Sequence, residues 1–273
     1  MSNVIEPAQP ASHDDHDGHS GAHPHFLQHH FDTPAQQFEA AKLGMWVFIA
    51  TEILMFGGLF CAYAIWRGMD PAIFDQAHHF LNKKMGASNT VVLLFSSLTA
   101  ALAVRSAQRG KRNETTAYLI VTIVCAFAFL VIKYFEYTHK FHLGLLPGHC
   151  FGHPWFSGAI QNGQEVGSCL RIHADAPAGS PEWVRAIDES GNLQVLPPRA
   201  NMFFGIYFCM TGLHAVHVII GMSILTWVLI KNIKGQFSKE YFTHVDLGAL
   251  YWHLVDLVWI YLFPLLYLVG KPE

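Results

Sequence analysis

The sequence predicts an all-α polytopic membrane protein: a bundle of five transmembrane helices, preceded by a disordered N-terminal tail and interrupted by one long outer loop. Three observations predict it. Charged residues make up 14% of the chain, against about 25% in soluble domains. The deficit is concentrated in five runs, each near the roughly 20 apolar residues that cross a bilayer. A membrane β-barrel would instead show strands of about ten alternating residues, and no run alternates in this way.

Residues 1–41 form the tail. They carry seven His and six acids, no Lys or Arg, and no apolar core, a composition that does not fold alone. The stretch HDDHDGHSGAHPH has imidazoles of the kind that bind metal loosely, but a solvated tail is the plainer reading. No positively charged start precedes an apolar stretch, so no secretory signal is expected. The bundle spans 42–270, with helices over 42–66, 89–107, 115–138, 200–230 and 247–269. Most faces of these runs are apolar, as suits helices that touch lipid or one another. The segment 141–199 is rich in Gly and Pro and is the outer loop.

Orientation follows from short-loop charge. Arg105, Arg109, Lys111 and Arg112 follow the second run, and Lys231, Lys234 and Lys239 follow the fourth. Cations gather on the cytoplasmic side, so the N-terminus is expected inside and the C-terminus in the periplasm. Lys83 and Lys84, in the first outer loop, run against this trend. The outer loop contains Cys150 and Cys169, which could pair in a periplasm. Cys61, Cys125 and Cys209 lie in separate apolar runs and are expected to act as small hydrophobes. Trp46, Trp66, Tyr134, Tyr137, Tyr251, Trp252 and Tyr267 lie near run ends and are assigned to an aromatic belt.

The ionisable residues inside the runs carry the functional question, because each is costly at membrane depth. Glu52, in VFIATEILMFGGLF, lies ten residues past Lys42, about 15 Å along a helix axis. A protonated, hydrogen-bonded acid is expected there. Its own helix leaves open a structural hydrogen bond, a proton-handling site or a lipid-headgroup site. In TGLHAVHVIIG, His214 and His217 share a helix face, as do His253 and Asp256 in YWHLVDLVW. A di-iron bundle repeats Glu-x-x-His on two helices. That repeat is absent here, so histidines paired with acids between helices are favoured over a metal centre. Lys133 and Glu136 are three apart and can pair near the outer boundary, where Lys133 can also snorkel toward water.

TGLHAVHVIIG followed by YWHLVDLVWIYLFPLLYL closely resembles cytochrome c oxidase subunit III. So do KLGMWVFIATEILMFGGLFCAY, NTVVLLFSSLTAALA and the Glu136–Tyr137 pair. The resemblance covers about 40–146 and 200–269. It implies a non-catalytic subunit of an aerobic terminal oxidase that takes electrons from cytochrome c and pumps protons. Haem and copper would then reside in subunits I and II, with no redox centre on this chain. Its implied roles are to stabilise the catalytic subunit, support proton uptake and hold phospholipid. Glu52 matches the family's carbodiimide-reactive glutamate, and His217 is its expected partner; His214, His253 and Asp256 complete the motif.

Two departures stand out. Many members of the family have seven helices, so the first pair and the lipid cleft beside it are missing unless another subunit supplies them. The outer segment 147–199 is longer than usual and is expected to face an additional subunit or electron-donor complex. Alternatives are subunit III of a quinol oxidase, a related nitric oxide reductase subunit, or a stand-alone proton or solute carrier built on Glu52.

Overall fold

The computed structural model describes residues 31–142, 145, 160–161, 164–165, 184–187, 193–196, 200–237 and 241–268. Five helices are long and apolar enough to cross a membrane: α1 (Pro34–Met69), α3 (Lys83–Gln108), α4 (Arg112–His142), α5 (Ala200–Ile233) and α6 (Thr243–Phe263). The protein is a multi-pass membrane protein of the expected helical class.

The boundaries differ from expectation where capping residues act. α1 begins eight residues before the expected position 42. Thr33 Oγ1 accepts from Gln36 N at 3.1 Å, and Gln36 Oε1 accepts from Asp32 N at 2.9 Å. These side chains satisfy amides that a helix start leaves unpaired, with Pro34 in the first turn where its missing donor costs nothing. α3 begins at Lys83 because Asn82 Oδ1 accepts from Lys84 N and Met85 N. The expected outer loop after α1 contains a short helix, α2 (Pro71–Ala77), and a 3-10 turn (His78–Phe80). α6 continues into a π turn, Pro264–Leu268. The segment between α4 and α5 adds two hairpins: β1 (Ile160–Gln161) with β2 (Gln164–Glu165), and β3 (Val184–Ile187) with β4 (Leu193–Leu196). Residues 1–30 of the expected tail, Cys150, Cys169 and most of 147–199 lie outside the described residues.

Four of the long helices close into a ring. α3 packs on α4 and α6, and α5 packs on α4 and α6. Hydroxyls join facing helices inside it. Thr99 meets Thr122 at 2.8 Å and Ser106 meets Thr115 at 3.1 Å, seven residues later on α3 and seven earlier on the antiparallel α4. Trp252 Nε1 donates to Ser96 Oγ at 3.0 Å, and Trp259 Nε1 donates to Thr90 Oγ1 at 3.1 Å. Such bonds replace the hydrophobic drive that lipid removes. They also correct the aromatic-belt assignment. Trp252, Tyr251 and Tyr267 are buried in the ring, whereas Trp46, Trp66 and Tyr134 are exposed as a belt requires.

Gly221 lets α5 approach α6. A Cβ there would lie 3.0 Å from Trp252 Cε3 and 3.1 Å from Tyr251 Cε1. Gly221→Ala is expected to destabilise the bundle by about 1–3 kcal/mol through overpacking. Thermal unfolding of the purified complex checks this, and an unchanged midpoint would show that the rings yield freely.

α1 lies outside the ring and approaches it through side chains rather than close backbone packing. Its inward residues Ile49, Phe56 and Tyr63 recur every seven positions, with Lys42, Met45, Glu52 and Leu59 completing a seam of alternating three- and four-residue steps. Lys42 pairs with Asp246 at 3.3 Å near one end of the seam. Tyr63 OH donates to Leu265 O at 2.7 Å near the other.

Candidate functional site

At the middle of the α1 seam, Glu52 Oε2 lies 2.9 Å from His217 Nε2 on α5. The other ring nitrogen, Nδ1, lies 2.8 Å from Leu213 O, one turn back on the same helix. A carbonyl only accepts, so Nδ1 carries a proton and donates it. That fixes the chemistry of the first contact. A neutral imidazole presents a bare Nε2, and Glu52 must then be protonated to donate. If the imidazole is charged, its Nε2–H donates to a carboxylate. Either way one proton occupies the O···N bridge and the pair has no net charge. Phe56 closes edge-on against the ring at 5.3 Å, and Tyr251 OH donates to His217 O at 3.4 Å.

A second polar site lies between α4, α5 and the π turn. Lys133, Glu136 and Lys140 occupy one face of α4 at i, i+3 and i+7. Glu136 Oε2 accepts from Lys133 Nζ at 2.7 Å, and Oε1 accepts from Lys140 Nζ at 3.0 Å and Tyr207 OH at 2.8 Å. Tyr267 OH also donates to Oε1. Lys133 donates to Tyr267 OH at 2.9 Å and sits 4.5 Å from the centre of the Trp259 ring. Lys133 is 4% exposed and Lys140 0%, so neither snorkels. One carboxylate therefore serves two buried ammonium groups, and Lys140, in the last turn of α4, gains further from the negative end of that helix. Tyr137 is bonded separately. Thr211 Oγ1 donates to Tyr207 O, so Tyr137 OH donates to Thr211 Oγ1 at 2.6 Å.

The remaining motif residues do not converge with Glu52. His214 is fully buried between Phe129 and Trp259, ring centroids 5.5 and 5.3 Å away, and neither ring nitrogen has a hydrogen-bond partner among the described residues. His253 Nδ1 lies 2.8 Å from Ser97 Oγ on α3, and both Asp256 carboxyl oxygens are buried with no hydrogen-bond partner among the described residues. Among the described residues no three His, Cys, Asp or Glu side chains are grouped to hold a metal ion. Sequence reasoning missed Lys140, Tyr207, Tyr267 and Ser97. For Lys140 a signal existed in the α-helical spacing from Lys133 and Glu136. The others join across 60 or more residues, and nothing local marks them.

The family described as cytochrome c oxidase subunit III matches residues 26–152 and 199–271. A haem–copper oxidase subunit I+III of Aeropyrum pernix is 26% identical over 88% of this chain, which spans only 24% of that longer protein. A cytochrome c oxidase subunit 3 of Corynebacterium diphtheriae is 26% identical over 84% of this chain and 87% of that protein. A quinol oxidase subunit 3 of Bacillus subtilis is 24% identical over 84% of this chain and 86% of that protein.

Proposed function

Because the chain belongs to the cytochrome c oxidase subunit III family, we propose that it is the non-catalytic third subunit of an aerobic terminal oxidase that takes electrons from cytochrome c and pumps protons. The complexes of this family are oxidoreductases. In this reading subunits I and II hold the haem and copper, and this chain carries no redox centre. It stabilises the catalytic subunit, supports proton uptake and binds phospholipid, and the 147–199 segment faces a further subunit or donor complex. The name of the Aeropyrum protein, which joins I and III, supports contact with subunit I. The N-terminus lies in the cytoplasm and the C-terminus in the periplasm of a bacterial plasma membrane, as the exposed cations of the α3–α4 turn suggest.

The observation that carries the supporting role is the pairing of Glu52 with His217. Both His217 nitrogens are bonded within the chain and the pair carries no net charge, so it can hold a proton at membrane depth at less cost than an unpaired acid. His214, His253 and Asp256 make no hydrogen bond to this pair among the described residues.

Purification of the complex through this chain tests the proposal. Copurifying subunits I and II, a copper-A absorbance and oxidation of cytochrome c are expected. The second reading, a quinol oxidase, has a relative in its favour, and quinol oxidation without copper-A would select it. Proton transport by the isolated chain in liposomes would overturn both.

A further inference from the structure

Three polar side chains are sealed within the helical ring without hydrogen bonds. Asn89 on α3 and His214 on α5 are 0% exposed, and Asp256 on α6 is 3% exposed. Among the described residues, neither amide atom of Asn89, neither ring nitrogen of His214 and neither carboxyl oxygen of Asp256 has a partner. A folded protein rarely leaves buried polar groups unpaired, because each then bears its full desolvation cost.

The three lie at neighbouring depths. Trp259 marks the level of the first two. Its indole donates to Thr90, the residue after Asn89, at 3.1 Å, and its ring centre lies 5.3 Å from that of His214. Asn89 belongs to the inward stripe of α3, between Gly86, which faces Phe263 and Tyr267, and Ser96, which takes the Trp252 indole. His214 belongs to the inward stripe of α5, between Thr211 and Val218. α3 and α5 stand diagonally in the ring, so the two side chains approach its axis from opposite sides. Asp256 lies about one turn before Trp259 on α6. It is within electrostatic range of Cys125, one turn before Phe129 on α4. The hydroxyls nearby are already engaged. Thr90 Oγ1 donates to Gly86 O at 3.0 Å, and Ser96 Oγ donates to Leu93 O at 2.8 Å. Each also accepts from a tryptophan indole.

The chemistry of the unpaired atoms selects the ligand. In their uncharged forms Asn89, His214 and Asp256 each present one donor atom and one acceptor atom. A metal cation would serve the acceptors alone, and an anion the donors alone. Water serves both. We propose that the core of the ring binds a small cluster of ordered water molecules, held by Asn89, His214 and Asp256. Buried water typically makes about three hydrogen bonds to groups that a protein leaves unpaired. The cluster braces α3 against α5 across the ring and joins both to α6. It is separate from the Glu52–His217 bond, since α1 contributes nothing to it.

The test uses the purified complex. A cryo-electron microscopy map that resolves water is expected to show peaks within about 3.2 Å of polar atoms of all three side chains. Thermal unfolding gives a second readout. If water bridges the groups, His214→Phe or Asn89→Leu alone breaks the network and strands what remains of it. Each is then expected to lower the melting temperature by about 2–4 °C. The His214→Phe/Asn89→Leu double variant should lower it by less than the sum, because partners removed together leave less unpaired. Groups that are unpaired and dry behave in the opposite way. Each apolar substitution would remove one cost independently, so each would raise the melting temperature and the effects would add. That result overturns the proposal. So does a map that resolves water elsewhere in the protein but shows none here, or one peak ringed by acceptor atoms alone, the mark of a cation. If the variants do not assemble, the wild-type map decides the matter.

Discussion

Glu136→Gln is expected to destabilise the assembled chain by about 3–5 kcal/mol, the usual cost of removing one partner from a buried ion pair. Gln keeps an oxygen for Tyr207 and Tyr267, so much of the hydrogen bonding survives. What disappears is the one negative charge among the described residues that pairs with Lys133 and Lys140, which are 4% and 0% exposed. Two ammonium groups would then face each other across two turns of α4 with no counter-ion among the described residues. The expected readout is a lower yield of complex and a lower melting temperature. Lys140→Met should restore part of the loss in the Glu136→Gln background, because it removes one stranded charge. On its own, Lys140→Met should cost less than Glu136→Gln, since Lys133 and Glu136 remain paired. A Glu136→Gln complex that melts like the wild type would show that the cluster is not ionised.

Glu52→Gln is expected to leave oxygen reduction intact on the first turnovers. The Gln amide can donate to His217 Nε2 as a protonated acid would, so the clasp between α1 and α5 survives while the exchangeable proton is lost. The defect should be confined to proton supply or to the lifetime of the enzyme under turnover. His217→Phe differs because it leaves the Glu52 carboxyl without its 2.9 Å partner, at about 1–3 kcal/mol. A double-mutant cycle between the two positions separates the shared bond from packing against Phe56. Loss of oxygen reduction from the first turnover in Glu52→Gln would show that the acid takes part in catalysis, contrary to the supporting role.

The five spans were legible because a bilayer selects on length and apolarity, both of which are local. The Lys133–Glu136 pair was legible because three residues make one helical step. The TPAQ start of α1 was also present in the sequence, but the apolar pattern begins later and obscured it. Glu52 and His217 could be matched only by their positions in their spans, since 165 residues separate them and no local spacing links them. The Glu136 cluster was the hardest to foresee. Tyr267 looks like an interfacial aromatic from its place near the end of a run, and only the rotation of α6 and the π turn at Pro264 shows that it points inward. Which face of an apolar helix turns inward depends on its neighbours, and a helix with no polar face gives no sign of it.

The 165-residue separation of Glu52 from His217 also sets an order of events during synthesis. At 5–20 residues per second, α1 is made roughly 8–33 s before its partner on α5. Throughout that interval the acid lacks its His217 partner, which is costly at membrane depth. The bond can close only after α5 has been inserted. Formation of the Glu52–His217 bond therefore reports that the nascent chain has reached the second half of its bundle, a checkpoint written into the spacing of two side chains.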